Sequence, residues 1–239
     1  MEIQGSIAFV TGANRGMGRH FAQQLLERGA AKVYAGARRI ESVDLPGAEA
    51  VQLDITDPVS VAAAAKTASD ATLLINNAGI VTFENLIDGS EAAIRREMET
   101  NFFGTLRMVR AFAPVLGANG GGAMLNMLSA LSWRSAGVSH AYSAAKAASW
   151  SLTNGARLEL APQGTQVVGL HVAGVDTDML AGIEAEKSNP ADVVRTGLDG
   201  IESGALEVLA DKATVDAKAI LHADPGIVYP ELNPAGTAR

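Results

Sequence analysis

The chain has 239 residues, 48% of them apolar, with a net charge of −7, which fits one large domain or two small ones with a buried core and gives no sign of disorder. The acidic balance, at a sequence pI of about 5.1, argues against a general nucleic-acid or anionic-membrane surface. Cysteine is absent, which rules out disulfides, thiolate catalysis and zinc–cysteine sites; His20, His140, His171 and His222 lack ligand spacing, so no metal is expected.

In chain order, Met1–Gln4 run straight into a first strand with no signal-peptide pattern. No apolar run reaches the roughly 18 residues needed to cross a membrane. A soluble cytoplasmic protein is expected. Short β-rich runs at 6–10, 32–37, 50–54, 72–76, 123–127, 166–171 and 206–210 alternate with helical patterns near 17–28, 58–68, 90–117, 142–161 and 190–203. Such alternation predicts an α/β fold, a Rossmann-like doubly wound parallel sheet of about seven strands with helices on both faces. Local punctuation agrees. Asp57-Pro58 and Asn189-Pro190 each pair a capping side chain with proline at the first helical position. Only about a dozen residues, including Pro46 and Gly47, separate the second and third strands, so the crossover helix there is expected to shrink to a turn. Nothing marks a second domain.

Two patterns carry the chemistry. Thr11-Gly-Ala-Asn-Arg-Gly-Met-Gly18 lies between an apolar strand and a helix. Gly12 permits a sharp turn, Gly16 a close approach to a pyrophosphate, and Gly18 close helix–sheet packing. The helix N-terminus then offers unpaired N–H groups to the anion. Tyr142 and Lys146 stand four residues apart, on one face of a helix. A cation there favours phenolate and can bring a tyrosine into acid–base work near neutral pH.

With Asp54, Asn76-Asn77-Ala78-Gly79, Asn101, Ser129 and Thr177 following in order, the chain resembles the short-chain dehydrogenase/reductase superfamily, in its common subfamily of about 250 residues. The resemblance runs over nearly the whole chain. It implies a single dinucleotide-binding and catalytic domain over 1–239, assembled as a homodimer or homotetramer.

It also implies a cofactor site formed by Gly12, Asn14, Arg15, Gly16, Met17, Gly18, Arg38, Asp54, Ile55, Asn77, Ala78, Gly79, Tyr142, Lys146, Val175 and Thr177. Ala37 stands where folds using NAD tend to place an acid, and Arg38 follows it. A guanidinium grips a 2′-phosphate that a carboxylate would repel. Arg15 fills the second basic position of members that use NADP, so NADP(H) is the expected cofactor. The plain alternative for Arg38 and Arg39 is a solvated turn. Asp54 either accepts from the adenine amine or caps the turn before Asp57. The usual Pro-Gly after the sixth strand is Val172-Ala173 here, so either the turn is rebuilt or Gly174 takes over its backbone freedom.

For catalysis the resemblance implies Asn101, Ser129, Tyr142 and Lys146. Ser129 precedes Tyr142 by thirteen residues, with Ser132 a near alternative. Tyr142 would donate its proton to a carbonyl oxygen that Ser129 also holds, while Lys146 holds the nicotinamide ribose and depresses the tyrosine pKa. Lowering a phenol from about 10 toward 7 takes roughly 4 kcal/mol. Asn101 would anchor a relay water beside the lysine. Around the substrate, Val81, Ala130, Leu131, Trp133, Val138, Met179, Leu180 and Ile183 are expected, Trp133 with core packing as its alternative. They include no cation to bind a carboxylate or phosphate. The expected activity is NADPH-dependent, reversible reduction of an apolar ketone or aldehyde. A 3-oxoacyl-[acyl-carrier-protein] reductase, or an NADP-binding sensor on the same fold, is the alternative. Residues 175–190 are expected to form a mobile lid, or else a packed helix along the stripe Met179, Leu180 and Ile183.

Overall fold

Seven strands align in one parallel sheet, in the order β3-β2-β1-β4-β5-β6-β7. They are β1 (Ile7–Thr11), β2 (Lys32–Ala37), β3 (Ala48–Gln52), β4 (Leu73–Asn76), β5 (Ala123–Met127), β6 (Gln166–His171) and β7 (Glu207–Leu209). The computed structural model describes residues 1–137 and 139–233. Pleating sends the side chains of β1 to both faces. Ala8 and Val10 enter one core with Phe21 and Leu25 of α1 (Gly16–Glu27) and Leu198 of α6 (Pro190–Glu202). Phe9 enters the other, with Val61 of α2 (Pro58–Thr67), Met108 and Phe112 of α4 (Thr105–Ala118), and Leu160 of α5 (His140–Leu160). Burial on both faces explains why these strands read as continuous apolar runs. Each fully buried phenylalanine contributes about 1.5–3 kcal/mol.

Strand order reverses at β1, which pairs with β2 on one side and β4 on the other. The chain leaves β1 and β4 in opposite directions there, opening a crevice at their carboxyl ends, where ligands bind in such sheets. The short β2–β3 connection holds only a 3₁₀ turn at Ile40–Ser42. Asp57 caps α2 and Asn189 caps α6, each before a proline.

Three regions differ from expectation. The helix expected over 90–117 is α3 (Glu91–Met98) and α4, joined by a wide π-type turn at Glu99–Gly104. There the Asn101 carbonyl accepts from the hydroxyls of Thr105 (2.8 Å) and Ser149 (3.0 Å). Residues 175–190 contain a 3₁₀ turn at Asp178–Leu180 and no longer helix, so the stripe of Met179, Leu180 and Ile183 is not a packed helical face. Two late helices went unexpected: α7 (Lys212–Ala219), capped reciprocally by Asp211 and Thr214, and the short α8 (Pro225–Val228). Among the described residues no helix is long and apolar enough to cross a membrane.

Candidate active site

The crevice at β1 and β4 is held by a few short bonds. The buried Thr11 hydroxyl accepts from the backbone N–H groups of Asn77 and Ala78, both at 2.9 Å. Asn77 Nδ2 donates back to the Thr11 carbonyl at 2.9 Å. The glycine-rich turn and the 77–79 turn are therefore one unit. Gly12 has φ +65°, and a Cβ on Gly18 would fall 2.1 Å from the Gly12 carbonyl oxygen. No side chain caps α1, which leaves its first N–H groups open to an anion.

A cleft of about 730 Å³ runs from this turn past Asn14, Gly16 and Met17 to Arg38, Asp54 and Ile55, with Asn77, Ala78 and Gly79 as its floor. Arg39, Thr56, Arg96 and Thr100 also line it, beyond the residues expected. These surroundings fit a dinucleotide: open helix N–H groups at the turn, and arginines at the outer end. Gly18 stands behind the wall as a packing residue. Asp54 lines the cleft and also ties the turn, its Oδ1 accepting from the Thr56 N–H at 2.9 Å and hydroxyl at 2.7 Å. Burial pushes the Asp54 carboxyl up, but the Thr56 bonds and the Arg38 charge outweigh it and hold the group below the usual range. Arg15 also lines the cleft, yet its guanidinium is paired with Asp178 at 3.0 Å.

A second cavity of about 330 Å³ adjoins the first, sharing Met17, Asn77, Gly79, Thr177 and Met179 with it. Ser129, Tyr142 and Lys146 line this cavity together. Ser129 follows β5 and caps a 3₁₀ turn, its Oγ accepting from the Leu131 N–H at 3.1 Å. Ser132 is buried, accepts from the Ser129 N–H at 3.1 Å, and stays out of the cavity wall. His171, at the end of β6, has Nδ1 3.1 Å from the Ser129 carbonyl oxygen. Lys146 is buried and donates to the Met127 carbonyl at 2.8 Å. Burial lowers its pKa to about 8. Tyr142 departs from expectation: burial first, and then the Glu97 carboxylate, push its phenol up instead of down. In the protein alone it is held protonated.

The family model for short chain dehydrogenases matches residues 6–188. This chain belongs to the short-chain dehydrogenase/reductase superfamily. It is similar to a sorbitol dehydrogenase from Cereibacter sphaeroides, 32% identical over 196 residues, which cover 78% of this chain and 77% of that one. A 3-alpha-(or 20-beta)-hydroxysteroid dehydrogenase from Mycobacterium bovis is 29% identical over 203 residues, covering 81% and 76%. Among solved structures, a short chain dehydrogenase from Burkholderia cenocepacia in complex with NADP superposes with a TM-score of 0.92 at 41% identity, covering 98% of this chain and 99% of that one.

Against the family pattern, the turn after β6 is rebuilt. Gly174 keeps a negative φ, while the Ala173 N–H donates to Asp211 Oδ2 at 2.8 Å. Val175, expected at the cofactor, lines the smaller cavity, and Thr177 lines both spaces. Asn101 lines neither. Its side chain clamps Ile80, accepting from the backbone N–H at 3.0 Å and donating to the carbonyl at 2.9 Å.

Of the expected substrate residues, Val81, Ala130, Leu131, Met179 and Leu180 line the cavity. Trp133 does not: its ring stacks on His171, with centroids 3.9 Å apart and planes at 20°. Ile183 does not either, lying beyond the Gly182 turn with 42% of its surface exposed. Val138 lies outside the described residues. Sequence reasoning missed Phe83, Arg134 and Ser139, and Ala213 and Ala217 on α7, all in the wall. Arg134 corrects the expectation that no cation stands there.

Glu97 was missed as well. Fully buried on α3, it accepts through Oε1 from the N–H and, at 2.7 Å, the hydroxyl of Thr82, while Oε2 has no described partner. The next residue, Phe83, has φ +57°, the one non-glycine residue with positive φ among those described. Asn101 and Glu97 thus pin the loop that carries Val81 and Phe83 into the cavity.

Proposed function

We propose that this protein is an oxidoreductase that uses NADPH to reduce a predominantly apolar ketone or aldehyde to the alcohol, reversibly. The observation that carries this reading is the meeting of Ser129, Tyr142 and Lys146 in one cavity that opens onto the dinucleotide cleft. When bound, the nicotinamide supplies hydride. The protein does the rest. Tyr142, protonated in its half-buried position, donates its phenolic proton to the carbonyl oxygen as negative charge gathers there. Ser129 holds the same oxygen through its hydroxyl, with its backbone steadied by His171. Charge that develops in a water-poor site gains most from such fixed donors. Lys146 holds the ribose and lends its positive charge to the phenolate left after transfer.

Preference for NADP(H) is supported by Arg38 and Arg39 at the outer end of the cleft and by Ala37 in the place of an acid. NADP in the similar Burkholderia protein points the same way. The apolar substrate body is supported by the lining of Val81, Phe83, Leu131, Met179 and Leu180. A homodimer or homotetramer completes the proposal, on family resemblance alone. A panel of ketones, aldehydes and alcohols, assayed with NADPH and NADH by the absorbance of the reduced nicotinamide, tests the reading. Oxidation or reduction of members of the panel with NADP(H) supports it. Activity confined to NAD(H) counts against the cofactor assignment.

A further inference from the structure

We propose that the substrate carries a carboxylate, received by Arg134 with help from Ser139, both of which line the cavity. This rests on the reading of the cavity as a carbonyl-reducing site and narrows its substrate class. Arg134 lines the cavity and makes neither an ion pair nor a hydrogen bond with any described residue. Arg38, Arg39, Lys66, Arg96 and Arg110 likewise have no such partner among the described residues, but of these six cations only Arg134 lines the smaller cavity. The other cation in the wall, Lys146, is buried and already donates to the Met127 carbonyl.

Ser139 adds a neutral donor. It occupies the cap position of α5 without making a side-chain cap bond, and it too lines the cavity. The remaining wall near them is apolar: Phe83, Leu131, Ala213 and Ala217. Arg134 is half-buried, so a matching anion gains somewhat more there than at a fully open surface. One guanidinium offers one positive charge in a planar fork, which matches a carboxylate in both shape and charge. A dianionic phosphate would be left undercompensated. Tyr142 and Arg134 line the same cavity of about 330 Å³, so carbonyl and carboxylate belong to one oxo acid or hydroxy acid.

The experiment compares oxo acids of increasing chain length with their methyl esters, pair by pair, in kcat/KM with NADPH. The same pairs are titrated calorimetrically into the NADP⁺-saturated protein. Wild type should prefer the acid of the best pair by roughly tenfold or more, the value of one charge-assisted contact. Arg134→Met should bring the acid-to-ester ratio near one, and Arg134→Lys should restore part of it. Circular dichroism of each variant checks that it folds. A wild-type ratio of one or below overturns the proposal, as does a preference that Arg134→Met leaves intact. Acids that bind preferentially through Arg134 without being reduced would keep the anion site and remove the carbonyl-reductase reading. Reduction of esters and acids alike would do the reverse.

Discussion

The ammonium of Lys146 stands 5.5 Å from the centroid of the Tyr142 ring. One helical turn of α5 separates the two residues, and both face the same cavity. Keeping a lysine there is costly. Its pKa falls from 10.5 to about 8 through burial, worth about 3 kcal/mol. Between those values the unfolded chain holds a proton that the folded chain has lost, so this cost is full below pH 8 and fades as pH rises. Lys146→Met should therefore stabilise the protein at pH 7 by up to about 3 kcal/mol while removing activity and weakening NADPH. Urea unfolding and cofactor titration of the variant check both halves.

Arg38→Ala should weaken NADPH by roughly tenfold to a hundredfold and NADH little. Arg15→Ala should do less, because Arg15 is already paired with Asp178 and both are well exposed. Fluorescence titration with the two cofactors measures this. An Arg38→Ala protein that binds NADPH as tightly as wild type would show that the arginine is a solvated turn residue.

Residues 175–190 should exchange amide hydrogens quickly in the free protein and slowly with NADPH and a ketone bound. The segment is fastened at its base, where the Asp176 N–H donates to Ser188 at 3.0 Å and the Ser188 N–H donates to Gly174 at 2.8 Å. Between these ends it is held, among the described residues, by a 3₁₀ turn, the Lys187 bond to the Leu180 carbonyl and the exposed Arg15–Asp178 pair. Met179 and Leu180 nonetheless line the cavity, so a ligand gives them contacts they otherwise lack. Strong, equal protection in both states would mean a fixed wall.

His171 should make stability fall in mild acid. It is fully buried, and burial lowers its pKa to about 4 although the bond to Ser129 and the Glu207 charge pull the other way. The unfolded imidazole, near 6.5, takes up a proton that the folded one refuses. Stability is thus full above pH 6.5 and drops toward pH 4, by up to about 3 kcal/mol. His171→Gln should flatten that part of the profile, measured as Tm from pH 7 to 4.5. A variant whose Tm falls as steeply as wild type would place the acid loss elsewhere.

Much of this was legible in the sequence where a local rule decides the outcome. The strand–helix alternation, the shortened β2–β3 connection and the prolines after Asp57 and Asn189 all depend on near neighbours in the chain. What was not legible depends on distant ones. The π-type turn at Asn101 is matched by a hydroxyl 48 residues away, on Ser149. Glu97 sits in Arg95-Arg96-Glu97-Met98-Glu99, which reads as a solvated charge run until Thr82 is brought onto it. Trp133 and Arg134 are adjacent, and only packing shows that the tryptophan turns to His171 while the arginine lines the cavity. Asp211-x-x-Thr214 carried a readable cap signal for α7, and with it two small residues of the wall.

The central claim is that Tyr142 delivers the proton, and single-turnover reduction by Tyr142→Phe tests it most directly. Phenylalanine keeps the ring beside Lys146 but has no proton to transfer. With NADPH pre-bound and a ketone that wild type reduces, the rate of nicotinamide oxidation should fall by roughly 10²–10⁴, while NADPH affinity stays within about twofold, a few tenths of a kcal/mol. A Tyr142→Phe protein that reduces the ketone at the wild-type rate would contradict the account.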